Sequence, residues 1–472
     1  MEAHDDEANN TITNTSHRNL SWFHFLNNLF ADPKSVQNKQ ALSFEQLPSS
    51  NYNNQDWRFP LDPSQMVRPI NILAFGGSVT WGAKLKDHRF NYVRILTPYP
   101  DRADNLAMRA TGADYPSLCL ESMIASVSSE VNKNEKNYDL ILFDFVINNT
   151  DGFPLLLKRL RQRYPDAIIV YVHIWSLLHL MEEANTKRRP HEIPKSEWNA
   201  TQWAWKDGDT FQSAKLCGRE VCEFDEMSKL VTDVGGYVYF MPRPNNLTPR
   251  EVIAKGWFGS DLHHLTSFGH RLLADGILQL LNPLKNLLFN DQKRLGSFGK
   301  GDQCYNWFET GQMQLEIKSD GKGTTMVDML DQTSENPQDK KYVLEIDSET
   351  GAKITFPSKF DFSAPVGLGY MSQSDPINYP LVEITINSQP TVLINPNKNK
   401  SFRGHPHITA FSHVGWAEPG NNVLKIRPTE TTKYPFRVIG VYICGVCFDL
   451  GNNLGSGSQN KLDSKFESRM ET

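Results

Sequence analysis

The stretch NILAFGGSVTWGA, residues 71–83, decides how the chain is read. Ile72 to Phe75 are consecutive apolar residues and read as a short buried strand. Gly76 and Gly77 break it, Ser78 follows, and a small-residue turn ends at Gly82 and Ala83. A hydroxyl lifted off a strand end by glycines can be a nucleophile, a helix N-cap or part of a phosphate-holding loop. A phosphate loop needs G-x-x-x-x-G-K-[ST], and no Lys-Ser pair follows here. A dinucleotide loop needs G-x-G-x-x-G, whereas these glycines are adjacent. The G-x-S-x-G elbow is also absent. What remains is a serine at the C-terminal edge of a sheet, and a serine hydroxyl is a weak nucleophile until a base reaches it.

Working outward, strands and helices alternate. YDLILFDFVI and DAIIVYVHIW are continuous apolar runs that suit parallel strands buried on both faces. Leu118, Leu120, Met123, Ile124 and Val127 share one face of a helix in YPSLCLESMIASVSS. GFPLLLKRLRQRY is an amphipathic helix with Pro154 in its first turn. EFDEMSKLVTDVG reads as a helix ended by Gly235, GYVYFM as a strand, and TSFGHRLLADGILQLLNPL as a helix capped by Thr266 or Ser267. This alternation predicts a parallel sheet with helices on both faces and a ligand site at the C-terminal strand ends. A polar insertion, 181–212, carries Trp198, Trp203 and Trp205, which either anchor it or touch substrate. After about Leu295 the period changes to two. YVLEID, AKITFP, LVEITIN, TVLIN, HITAFS, NVLKIRP and RVIGVYI predict an antiparallel sandwich of about seven or eight strands.

The expected organisation is a polar leader over 1–65, an α/β domain over 66–295, a β-sandwich over 296–450 and a disordered tail over 451–472. The chain has 472 residues and a formal net charge of -5, with no long basic run, which argues against a nucleic-acid surface. No window of about 18 apolar residues is long enough to span a membrane. No basic start followed by an apolar run is visible, so no signal peptide is read and the compartment stays open: cytoplasmic by default, secretory if the N-terminus is truncated. N-x-S/T triplets begin at Asn9, Asn14, Asn19, Asn148, Asn199, Asn246 and Asn399 and matter only on a secretory route. The six cysteines are scattered. CGREVC and CGVC can each close a local disulfide or together hold zinc, while Cys444 and Cys447 sit in an apolar run where buried free thiols are the plain reading.

The base for Ser78 is sought in GSDLHHLTSFGH. Asp261 precedes His264 by three, a spacing that lets the carboxylate fix the imidazole tautomer and leave its other nitrogen for the serine proton. Asp261, His263, His264 and His270 can instead be read as zinc ligands.

Taken together these blocks resemble the SGNH (GDSL-like) hydrolase superfamily. GGSVTWGA is similar to its first block, NLAMRATGA to its second, LFDFVINNTDG to its third and DLHHLTSFGH to its fourth, all in order over roughly residues 69–285. The resemblance implies a three-layer, flavodoxin-like α/β fold. It implies Ser78 as nucleophile, His264 as general base and Asp261 as its orienter, with no metal or cofactor. The oxyanion hole would comprise the Ser78 N–H, the Gly112 N–H and the Asn148 side chain, with Ala110 the alternative to Gly112. Two positions depart from the pattern: Gly77 stands where an aspartate usually precedes the serine, and Asn149 where an aspartate usually follows the asparagine. Trp81, His173 and Trp175 either shape the pocket or pack around its rim. The expected reaction is hydrolysis of a carboxylic ester. The sandwich resembles accessory modules found beside carbohydrate esterases, which makes O-acylated carbohydrate the first substrate to consider. Acyl transfer to a sugar by the same triad, or glycan binding on a non-catalytic scaffold, are the alternatives. The oligomeric state is not legible.

Overall fold

The computed structural model describes residues 70–97, 99–109, 111–127, 136–145, 152–174, 227–241, 254–261, 263–284, 296, 303–307, 315–318, 324–328, 342–348, 350–372, 379–398, 408–432 and 434–445. The leader, the 181–212 insertion with its three tryptophans, Ala110, Asn148, Asn149, Trp175, Cys217, Cys222, Cys447 and the tail lie outside them.

The first half is the expected α/β unit. Strands β1 (Ile72–Gly76), β2 (Ala103–Asn105), β3 (Leu140–Asp144), β4 (Ile168–His173) and β5 (Tyr237–Phe240) form one sheet in the order β2-β1-β3-β4-β5. Every pairing in it is parallel. The helices are α1 (Ser78–Trp81), α2 (Tyr92–Ile95), α3 (Asp114–Val127), α4 (Phe153–Arg163) and α5 (Ser267–Leu281). Alternation inside the apolar strands feeds two cores. Leu73, Phe75, Ile141, Phe143, Ile169 and Tyr171 pack with Leu118 and Met123 of α3 and Leu156 and Leu160 of α4. Ile72, Ala74, Leu140, Leu142, Val170 and Val172 pack with Val93 of α2 and Leu273, Ala274 and Ile277 of α5. Each such side chain contributes about 1.5–3 kcal/mol of burial, so the sheet is held from both faces and its strand ends are fixed platforms. Strand order reverses between β1 and β3, and the crevice outside such a switch point is where open α/β sheets bind ligands.

The second half is a two-sheet sandwich of strands β6 (Gln303–Asn306), β7 (Glu316–Lys318), β8 (Thr324–Asp328), β9 (Tyr342–Ile346), β10 (Ala352–Ser358), β11 (Ala364–Ser372), β12 (Val382–Ile386), β13 (Val392–Ile394), β14 (Ile408–Ala417), β15 (Gly420–Pro428) and β16 (Phe436–Ile443). One sheet runs β13-β12-β15-β10-β7; the other runs β14-β11-β16-β9-β8, with β6 also paired to β16. The alternation of period two locates β9, β10, β12, β13, β14, β15 and β16 correctly but undercounts the strands. β6 and β7 are too short to show a period. β11 is buried along its whole length, so nothing alternates, and its glycines read as a loop. Gly369 is there for space: a Cβ would come within 2.6 Å of Tyr442 and 2.7 Å of Ile439 and Phe411.

The two halves share a core. Tyr115, Leu118 and Met123 of α3 belong to the same buried cluster as Met371, Phe411, Ile439 and Tyr442 of the sandwich. A disulfide joins Cys119 of α3 to Cys304 of β6, with Cα atoms 5.3 Å apart. Cys444 is disulfide-bonded as well, to a cysteine outside the described residues, which corrects its reading as a free thiol.

Candidate active site

Ser78 is set by the sequence around it. β1 ends at Gly76, where a Cβ would lie 2.5 Å from Thr80 Oγ1 and 2.8 Å from the Asp144 carbonyl, so only glycine lets the chain turn this close to β3. Gly77 is extended (φ -88°, ψ -150°), and Ser78 opens the single turn α1. The Gly77 N–H donates to the Asp144 carbonyl at 3.2 Å.

Behind the serine lies a buried polar brace. Thr80 Oγ1 donates to Asp144 Oδ2 at 2.9 Å and accepts from the Tyr92 hydroxyl at 2.9 Å. The Thr80 carbonyl accepts from the side-chain amides of Asn91 at 2.7 Å and Asn105 at 2.6 Å. Thr80, Asn91, Tyr92 and Asp144 are at most 1% exposed. Burial pushes the Asp144 carboxyl up to about 7 against the opposing Thr80 hydrogen bond. Its Oδ1 has no hydrogen-bond partner among the described residues.

A histidine reaches Ser78 from a distant loop. His264 Nε2 lies 2.8 Å from Ser78 Oγ, across 186 positions of sequence. His264 Nδ1 lies 2.7 Å from Asp261 Oδ2. Asp261 Oδ1 accepts the backbone N–H groups of His263 at 3.1 Å and His264 at 3.0 Å. Burial alone would raise the Asp261 carboxyl, but these donors and the His264 ring outweigh it and hold the group well below the usual carboxylate range. The loop is closed by Gly259 N–H on the His264 carbonyl at 2.8 Å and Thr266 N–H on the Trp257 carbonyl at 3.1 Å. Thr266 then caps α5 by accepting from Gly269 N–H at 3.1 Å.

His264 uses both ring nitrogens on Asp261 and Ser78. His270 is fully buried, its Nδ1 accepting the Tyr92 N–H at 3.3 Å, and burial first, then the electrostatic influence of the nearby His264 and His88 rings, lower it to about 3. Among the described residues no group of three or more metal-binding side chains forms, so the zinc reading of these histidines does not fit the geometry.

The other expected residues fall unevenly. After β2 the chain runs on beside β1, with Met108 N–H on the Gly76 carbonyl at 3.0 Å. This brings the segment leading to Gly112 alongside the serine turn; Gly112 itself is buried. Asn148 and Trp175 lie outside the described residues. Trp81 is 8% exposed; it packs on Ala83 and Ala107, sits edge-on to His88 and has the Arg109 guanidinium 5.3 Å over its ring. His173 ends β4 and is 8% exposed, edge-on to Phe240. Sequence reading missed Thr80, Tyr92 and Asp144, and read His270 only as a zinc ligand. One signal was available: Asp144 is a lone carboxylate inside an otherwise apolar strand, and buried acids need a reason to be there.

No protein-family profile matches the chain, and no curated relative matches it. Among solved structures it is similar to a two-domain esterase active on acetylated mannans, at 14% identity and a TM-score of 0.44, covering 79% of this chain and 90% of that one. It is similar to a Lactobacillus plantarum protein at 14% identity and a TM-score of 0.30, covering 46% of this chain and 98% of that one. It is also similar to a family 35 carbohydrate-binding module from Clostridium thermocellum at 12% identity and a TM-score of 0.21, covering 30% of this chain and 97% of that one. At such scores the activities of these proteins do not transfer to this chain.

Proposed function

We propose that the chain is a serine esterase of SGNH type that cleaves a carboxylic ester through an acyl-serine intermediate. One observation carries this reading: the hydrogen-bonded series Ser78 Oγ, His264 Nε2, His264 Nδ1, Asp261 Oδ2. Ser78 Oγ attacks the acyl carbon while its proton passes to His264 Nε2. Asp261, held ionised, stabilises the imidazolium that results. The Ser78 and Gly112 N–H groups and the Asn148 amide are assigned to the oxyanion, a role in which each donor is worth about a hundredfold or more in rate. His264 returns the proton to the leaving alcohol, and water, deprotonated by the same nitrogen, releases the acid.

O-acetylated glycan is the first substrate class to test, on the sandwich fused to the catalytic unit. Disulfides persist in oxidising compartments, so the Cys119–Cys304 bond favours action outside the cytosol. The test is acetate release from acetylated polysaccharides and turnover of p-nitrophenyl acetate, each compared with Ser78→Ala. Release that depends on Ser78 supports the esterase. Acylation of Ser78 without release to water, reversed by added sugar acceptors, points to acyl transfer. Equal turnover by both proteins ends the proposal.

A further inference from the structure

The sandwich holds a cavity of about 410 Å³ between the β9–β10 turn and the loop that follows β15. Lys353, Lys425 and Arg427 line it, with the hydroxyls of Ser348, Thr350 and Thr431. Among the described residues Glu430 is the one carboxylate on its wall. The sequence puts the cations there by strand alternation: Ala352 and Ile354 on β10 and Leu424 and Ile426 on β15 enter the core, so Lys353, Lys425 and Arg427 face out. The register then sets Lys353 directly across from Lys425. Arg427 is two residues along the same face, across from Glu383, and Thr385 lies across from Lys425. Like charges directly opposite on neighbouring strands destabilise the ladder. Among the described residues neither Lys425 nor Arg427 makes an ion pair. Lys425 and Arg427 beside a concave, hydroxyl-rich floor are the chemistry of an anion site, and the volume falls within the roughly 300–1,000 Å³ of small-molecule pockets.

We propose that this cavity binds an anionic saccharide, a sugar unit carrying a carboxylate or sulfate group. Lys425 and Arg427 pair with the acid group, while the hydroxyls of Ser348, Thr350 and Thr431 exchange hydrogen bonds with ring hydroxyls. The site lies on the opposite half of the molecule from the Ser78 triad in sequence, and the shared core and the Cys119–Cys304 bond hold the two halves together. A polysaccharide gripped here is kept at raised effective concentration near the serine. The proposal deepens the esterase reading by narrowing its substrate to acylated acidic glycans; that link rests on the esterase reading, whereas binding in the cavity does not.

The test is affinity electrophoresis of the full chain in gels containing polygalacturonate, dextran sulfate, polyglutamate or neutral galactomannan. Retardation by polygalacturonate or dextran sulfate is expected, with the more effective of the two identifying the acid group. The Lys425→Glu/Arg427→Glu variant should lose about tenfold or more of that affinity, a loss typical of removing charge-assisted contacts. Its melting temperature and p-nitrophenyl acetate turnover should match the parent. If the double variant melts early, Lys425→Gln replaces it, with about threefold loss expected for one contact. No retardation by either acidic saccharide, equal retardation of parent and variant, or equal retardation by polyglutamate overturns the site. Saccharide binding that persists in a chain without Ser78-dependent turnover sinks the esterase and leaves the cavity standing; turnover without binding does the reverse.

Discussion

The serine and histidine sides of the crevice are held by opposite means. The serine turn is deep and braced by partners distant in sequence: Asp144, Tyr92, Asn91 and Asn105 all converge on Thr80. The histidine loop is shallower, with Asp261 and His264 side chains 31% and 16% exposed. Within the loop, Asp261 Oδ1 accepts from two adjacent N–H groups, and the Gly259 and Thr266 bonds close it on itself. The difference teaches where each side is vulnerable. A serine set by tertiary contacts depends on the whole sheet end, whereas a histidine set by a local loop depends on a few consecutive residues.

The largest effect tests the chemistry common to both sides. Ser78→Ala should lower kcat/KM by roughly 10⁴-fold or more with an unchanged melting temperature. Asp261→Asn comes next, at about 10³–10⁴-fold in kcat, because the imidazole loses its tautomer and its counter-charge. Since Asp261 is held well below the usual carboxylate range, the wild-type pH profile should carry no inflection from Asp261 above pH 4. Such an inflection would contradict this.

A middle-sized effect isolates the serine side. The folded Asp144 carboxyl titrates near 7, against about 4 in an unfolded chain. Between these values the unfolded state loses its proton and the folded state keeps it, so stability falls as pH rises, reaching its full loss above the folded value. Asp144→Asn stays neutral and can still accept from Thr80. Its unfolding free energy relative to wild type should therefore climb from pH 5 to pH 8, by an amount on the order of a few kcal/mol. A difference independent of pH would show that Asp144 is not a buried neutral acid. Thr80→Val, which removes the brace itself, should cost about tenfold in kcat if positioning within a few tenths of an ångström matters.

The smallest effect isolates the histidine side. Thr266→Ala removes the cap of α5 and with it about 0.5–2 kcal/mol, measurable as a lower denaturation midpoint. Its loss of activity should be smaller than that of Thr80→Val. The reverse order would break the contrast between the two sides.

Legibility in the sequence follows the same division. The Asp261–His264 spacing is local and could be read directly. The union of Ser78 with His264 spans the whole α/β unit, and only the ordered resemblance of four blocks anticipated it. The parallel sheet was visible because its strands are apolar on both faces. Asp144 was absorbed into that apolar run, and with it the brace under the serine. In the sandwich, alternation found strands with one wet face, such as β10 and β15, and failed at β11, which has none. The Cys119–Cys304 bond was illegible because its cysteines are 185 positions apart in sequence and their meeting depends on how α3 packs on β6.

The most direct measurement is covalent labelling with a fluorophosphonate, followed by mass mapping of the modified peptide. The account predicts a single adduct on Ser78, strongly slowed in His264→Ala. An adduct on another serine, or labelling of Ser78 at the same rate without His264, would contradict it.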